Sequence, residues 1–366
     1  MRMAETRRPS THLLAWFALV GNALVILQGA FVRASGSGAG CGGHWPTCNG
    51  EVVPLNAGVH TLIEFTHRML ALTVLALGVW LVVRAWRVRK ERPGFRAFAF
   101  AAFCFLIMEA LLGMVTVVFG LTGDNQSLAR GVLVAVHLVN SLLLIGTLTG
   151  VVVFSRGRNA PAWPLRIGRQ GALATVLGLG LLGMLVLIFS GGIAAMGNTM
   201  FPSESLKQGF AADFNPASHT LIRLRILHPL IAITVGTYLF VGLGLSWWLK
   251  PTPAARRTAQ TLFGVYVAQL VVGTANLAFL APMALQLLHL TMAVLAFSLL
   301  TTLSLEMLGG VAVPRRAETA AAGAGGSGVG GSVAGGSVAG GSAMSGPGVG
   351  GSGGAQGPAI EGAGRG

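Results

Sequence analysis

Charge is scarce in this sequence. Asp, Glu, Lys and Arg make up 10% of its 366 residues, and only 11 residues are acidic. With 53% hydrophobic residues and a mean hydropathy of +0.71, the chain fits neither a soluble globular domain nor a disordered polyelectrolyte. The composition is that of an integral membrane protein. Cysteine is nearly absent too: Cys41, Cys48 and Cys104 are too few for a disulfide-dense scaffold. No cleavable signal peptide is evident. The basic residues 1–10 precede an apolar run long enough to span, with no small-residue cleavage site in the right place. The net charge of +14 would suggest nucleic acid in a soluble chain. Here the positive residues flank apolar runs, where they set topology, so the expected partner is a lipid bilayer and no nucleic acid.

Eight runs approach the roughly 20 apolar residues that a bilayer requires. They cover 13–33, 61–83, 97–119, 131–154, 172–194, 224–248, 259–281 and 284–307. Of the 25 Lys and Arg, 19 lie before the first run, after the last, or in the connections 2–3, 4–5 and 6–7. The positive-inside rule places these segments, and both termini, in the cytoplasm. The outer side then holds the loops 34–60, 120–130, 195–223 and 279–284. The first is Gly-rich and carries Cys41 and Cys48. The third carries Phe201-Pro202, Asp213 and Asn215-Pro216, and is expected to have ordered structure of its own.

The chain also repeats itself. His60-Thr-Leu-Ile opens the second run and His219-Thr-Leu-Ile precedes the sixth. Glu109-Ala-Leu-Leu-Gly113 in the third resembles Gln269-Leu-Val-Val-Gly273 in the seventh, and Val136-His137-Leu138 resembles Leu288-His289-Leu290. Four runs per half give both halves the same orientation, a parallel repeat about the membrane normal. The expected fold is therefore all-α. It is a polytopic membrane protein whose eight transmembrane helices form two parallel-repeat four-helix bundles. The domain reading is a cytoplasmic N-terminus at 1–12, an N-terminal half at 13–154 and a cytoplasmic linker at 155–171. A C-terminal half at 172–307 follows, then a disordered Gly/Ala/Ser-rich cytoplasmic tail at 308–366.

Polar side chains in the runs stand out against this background. His67, His137, His228 and His289 fall on the second, fourth, sixth and eighth runs, at similar depth near the outer face. For one membrane histidine, a helix–helix hydrogen bond is the plain reading. Two per half at matched depth is what two bis-histidine haem sites require. Zinc fits less well, because neither half gathers three or four ligands at the expected spacing. Glu64, His67 and Arg68 crowd into one turn, where each charge costs a few kcal/mol at bilayer depth. Glu64 and His67 share a helix face. Arg223 and Arg225 in the second half, and Arg33 and Arg68 in the first, are placed to meet haem propionates or, alternatively, lipid phosphates. Cys41 and Cys48 lie on the oxidising side, as a structural staple or as a redox pair. Cys104 is expected to pack inside the third helix.

The runs Val32-Arg33-Ala34-Ser35-Gly36-Ser37-Gly38-Ala39-Gly40-Cys41, Trp45-Pro46-Thr47-Cys48-Asn49-Gly50 and Glu64-Phe65-Thr66-His67-Arg68 resemble the haem A synthase family over about residues 10–310. The resemblance implies an enzyme of the bacterial plasma membrane that oxidises the C8 methyl of haem O to the formyl of haem A for cytochrome oxidase assembly. Two hydroxylations would give an alcohol, then a gem-diol that loses water. It implies that His67 and His137 hold the substrate haem, that His228 and His289 hold a haem b cofactor with its iron, and that Glu64 is the catalytic carboxylate. Cys41 and Cys48 would be the redox pair. A haem O synthase is the implied upstream partner. No motif identifies the electron donor, and homo-oligomer formation is left open. One departure is plain: many bacterial members carry a second Cys pair in the outer loop of the second half, and residues 195–223 contain no Cys. The rival reading is a haem b electron carrier of the quinone/cytochrome b type, which explains the four histidines but not Glu64 or the Cys pair. A transporter with Glu64 and Glu109 as proton relays is a third, without the paired Gly/Pro interruptions such folds carry.

Overall fold

In a computed structural model, residues 8–87, 92–248 and 252–309 are described. The N-terminal residues 1–7 and the tail from 310 onward lie outside the described residues. Ten α-helices occur among the described residues: α1 (Arg8–Ala34), α2 (Val59–Arg87), α3 (Pro93–Val118), α4 (Leu128–Ser155), α5 (Gly171–Met200), α6 (Leu206–Phe214), α7 (Thr220–Leu224), α8 (Leu227–Trp248), α9 (Pro253–Ala278) and α10 (Met283–Gly309). No strand interrupts them there; a single isolated bridge pairs Cys48 with Glu51. Eight helical segments are long and apolar enough to cross a membrane, α7 and α8 counting together as one. The chain is a multi-pass membrane protein.

The helix ends follow local chemistry. Ser127, Ser205 and Thr252 cap α4, α6 and α9, each side-chain oxygen accepting from a backbone N–H three residues on. Pro93 and Pro253 open α3 and α9, where a missing N–H costs nothing. The far ends of α3 and α9 close alike. Phe119, Gly120 and Leu121 donate to Val115, Val117 and Thr116; Phe279, Leu280 and Ala281 donate to Ala275, Leu277 and Asn276. Gly120 (φ 60°) and Leu280 (φ 59°) occupy the same left-handed position, which favours glycine.

The sixth run does not form one straight helix. Pro229 has no N–H for the carbonyl of Arg225, and its ring crowds that carbonyl. The chain breaks there: α7 stops at Leu224, the N–H of His228 donates to Arg225 over three residues (3.2 Å), and α8 begins at Leu227. His60 and His67 are seven apart, whereas His219 and His228 are nine apart; the two extra residues absorb the break.

Helix α4 lies at the centre. From Ser141 to Ser155 nearly every residue is buried, against α1, α3, α5 and α10. Small residues allow that closeness: a methyl at Gly150 would stand 2.2 Å from Phe98. Leu142, Ile145, Val151 and Val153 of α4 join Leu81 of α2, Phe95 of α3 and Leu300 and Leu303 of α10 in one apolar core. At the α1/α4 ends, His12 meets Ser155 Oγ at 2.6 Å. Large apolar residues such as Leu72, Trp80, Ile233, Val241 and Val271 are exposed along the outside, as a lipid-facing surface requires. Cys104, expected to pack inside, is exposed on this outer face of α3. The loop after α5 is ordered, as expected, around the short helix α6.

Candidate functional site

The outer turns of α2 grip the first outer loop. Glu64 is 4% exposed and accepts from the backbone N–H of Cys41 at 2.9 Å. Its other oxygen receives Arg68 Nη2 at 2.5 Å, a pair one helical turn apart. Arg68 Nη1 donates to the carbonyls of His44 and Thr47. Thr61 donates to the Gly40 carbonyl, and Ser37 meets His60 at 3.0 Å. Gly40 approaches so closely that a methyl there would lie 2.5 Å from the His60 carbonyl oxygen. Cys41 and Cys48 are bonded to each other and are 0% and 1% exposed. Thus Glu64 shares a face with His67, but both of its oxygens engage the loop and its anchoring arginine.

The four histidines are half-buried and are built in alike. Each ring lies over a glycine of the preceding spanning helix: His67 over Gly29, His137 over Gly113, His228 over Gly191 and His289 over Gly273. A methyl on those glycines would meet Cε1 of the ring at 3.1, 3.8, 2.9 and 2.8 Å. His67 and His137 lie within each other's electrostatic reach. The rings of His228 and His289 are 6.1 Å apart and nearly perpendicular, at 83°. Two imidazoles on opposite sides of one metal ion, with metal–nitrogen bonds of about 2.0–2.1 Å, have ring centres roughly 6 Å apart. Ser190 Oγ engages Nδ1 of His228 at 3.1 Å, so a metal held by this histidine would bond Nε2. Among the described residues, Nδ1 of His67 and of His289 is buried without a partner. A buried imidazole nitrogen without a partner is costly, and a metal bond would satisfy it. These features fit a haem that would be held by His67 and His137 and another that would be held by His228 and His289.

Residues that pattern reading did not place in the site complete it. Glu109 of α3 meets Nε2 of His137 at 2.5 Å, and Asn140 donates to the other oxygen of Glu109 at 2.7 Å and to the Phe105 carbonyl. In the second half, the Gln269 amide lies 3.3 Å from Nε2 of His289. The available signal was a carboxylate at mid-run, four residues before Gly113.

The four arginines differ. Arg225 pairs with Asp213 and donates to Asn198, Ser203 and the Gly209 carbonyl, so it holds the loop 195–223 together. Arg33 donates to the Ala195 carbonyl and Thr199 of α5 and to Gln286 of α10 (2.9 Å). Arg68 is engaged as above. Arg223 is exposed and lines an open cleft with Asp213, Phe214, Thr220, Leu224 and Leu227. Among the described residues no three His, Cys, Asp or Glu side chains cluster as a metal site.

Eight spanning segments, with paired histidines inside and a disulfide-closed loop outside, define a polytopic α-helical membrane protein built around two imidazole pairs. The chain belongs to the Cytochrome oxidase assembly protein family (COX15-CtaA), whose model matches residues 12–301. It is similar to a protein of Thermus thermophilus named Protoheme IX farnesyltransferase, 45% identical over 299 residues. That match covers 80% of this chain and 48% of the relative. It is also similar to Heme A synthase of Alkalihalophilus pseudofirmus, 44% identical over 101 residues, 28% of this chain and 34% of the relative. Heme A synthase of Halalkalibacterium halodurans is 35% identical over 168 residues, 46% of this chain and 54% of the relative. The chain covers less than two thirds of each of these relatives.

Proposed function

We propose that this chain is a haem A synthase of the bacterial plasma membrane. It would be an oxidoreductase that converts the C8 methyl of haem O to a formyl group through an alcohol and a gem-diol. The observation that carries the reading is two imidazole pairs of matched construction within a family that includes proteins named for haem A synthesis.

His67 and His137 hold the substrate haem, and His228 and His289 hold haem b. When bound, haem b supplies one-electron redox chemistry. The chain's own residues position, shield and balance charge. Glu64, fixed between Arg68 and the Cys41 N–H, keeps negative charge at the outer edge of the first-half site. A fixed carboxylate there stabilises positive charge or a proton that develops as the methyl is oxidised. The Cys41–Cys48 disulfide, buried on both sulfurs, serves as the staple that holds this loop over the site. The matched ends of α3 and α9 and the matched glycine–histidine contacts support a parallel repeat. The even number of candidate spans and the excess of Lys and Arg beside them support a reading with both ends of the membrane part facing the cytoplasm.

The Thermus relative named for farnesyl transfer to protohaem is about twice the length matched here. The reading takes from it the chemistry of the upstream partner: an enzyme that farnesylates haem to make this protein's substrate.

The test is expression beside a haem O-forming farnesyltransferase, followed by chromatography of extracted haems. Haem A and its alcohol precursor should appear only when both proteins are present. Haem b alone, with haem O untouched, would instead make this protein an electron carrier.

A further inference from the structure

The two imidazole pairs differ at one matched position. Glu109 and Gln269 each stand four residues before the glycine that underlies a histidine, Gly113 and Gly273, and each reaches Nε2 of that histidine. One is a carboxylate and the other its neutral amide. The support behind them differs as well. Asn140, three residues after His137, holds the free oxygen of Glu109 while bonded to the Phe105 carbonyl. Three residues after His289 stands Met292, which has no hydrogen to donate. Gln269 Oε1 is buried without a partner among the described residues.

We infer that Glu109 is a positioning and charge-setting residue for His137, and that the Glu109/Gln269 difference gives the two haem sites different electron affinities. The inference rests on reading both pairs as haem sites. Glu109 engages Nε2 of His137, so a metal held by this histidine would bond its other ring nitrogen. A carboxylate on the far nitrogen of a ligand imidazole fixes the ring and raises its basicity. Negative charge passed toward the iron favours the oxidised state, and in a poorly solvated bundle that effect is weakly screened. A neutral amide does neither. The carboxylate therefore belongs to the half that also holds Glu64, and the amide to the half with a permanent electron-transfer haem. Asn140 keeps Glu109 aimed at the ring.

The test is the pair of exchanges E109Q and Q269E, each read as the reduced-to-oxidised ratio of bound haem at fixed solution potential. The purified holoprotein is used, loaded with haem O for the first half. E109Q should raise the reduced-to-oxidised ratio of the first-half haem about tenfold at its wild-type midpoint, equivalent to ~59 mV for one electron. Q269E should lower the reduced-to-oxidised ratio of the second-half haem by a similar factor. A merely structural role for Glu109 would change haem content or protein yield and leave these ratios unmoved. If E109Q fails to accumulate, Q269E decides alone. Unchanged ratios in protein that still binds haem overturn the inference while leaving the haem sites standing. Wild-type protein that binds no haem overturns both.

Discussion

Glu64 and Arg225 both stand three residues before a paired histidine, and they do the same mechanical job with opposite charge. Glu64 receives the Cys41 N–H and pairs with Arg68; Arg225 pairs with Asp213 and gathers Asn198, Ser203 and Gly209. The loop 195–223, which lacks cysteine, is thus held by an arginine hub, while the loop 34–60 is held by a disulfide and a carboxylate. The unusual density of charge around His67 was legible in the sequence; its partners across loop and helix were not, because they depend on how residues 34–58 fold back. Glu109 was visible only as one member of a repeat and as a relay in the transporter reading, not as a partner of His137. Glu64→Gln keeps an acceptor for the Cys41 N–H and removes the charge. Haem A formation should fall roughly 10²-fold or more, with haem O or hydroxylated haem accumulating and haem b retained. Haem extracts normalised to protein check this. Parallel loss of yield and all haem would make Glu64 only an anchor of its loop.

Spanning segments were legible almost to their ends, because length and apolarity decide them. The break between α7 and α8 was missed although Pro229 stands next to His228; the apolar run continues through it and hides it. The consequence is that His228 sits at the start of a helix and depends on Ser190 and Gly191 of α5 for its orientation. The glycines opposite the histidines give a graded prediction. Alanine at Gly191 or Gly273 would place its methyl 2.9 or 2.8 Å from a ring carbon, so the imidazole must move. Overpacking of this kind costs about 1–3 kcal/mol, or roughly 5- to 150-fold weaker haem b retention. Gly113→Ala, with 3.8 Å available, should hold haem nearly as well as wild type. Pyridine haemochrome assays after detergent dilution rank the three. Equal retention in all of them would show that these contacts do not set ring position.

Helix α4 packs against α5 and α10, α1 also meets α10, and Arg33 adds a polar link between α1 and both α5 and α10. Arg33 leaves the end of α1 and, among the described residues, bonds to the Ala195 carbonyl, Thr199 and Gln286. Position along the chain suggested a propionate contact in its own half. The fold gives it a bridging task that no local pattern encodes, since its partners lie more than 160 residues away. The two tasks predict different failures. As a bridge, Arg33→Ala removes hydrogen bonds to half-buried acceptors on α5 and α10, at about 0.5–1.5 kcal/mol for each bond lost. Thermal unfolding of the haem-free protein should then shift to lower temperature. Arg33→Lys keeps the charge but reaches fewer acceptors than a guanidinium fork, so it should recover only part of the loss. As a propionate partner, Arg33→Ala would weaken haem retention and leave the haem-free protein as stable as wild type. Unfolding of protein prepared without haem, followed by fluorescence, separates the two. The bonding of Arg33 across the halves favours a lowered midpoint, and an unchanged one would return Arg33 to the haem.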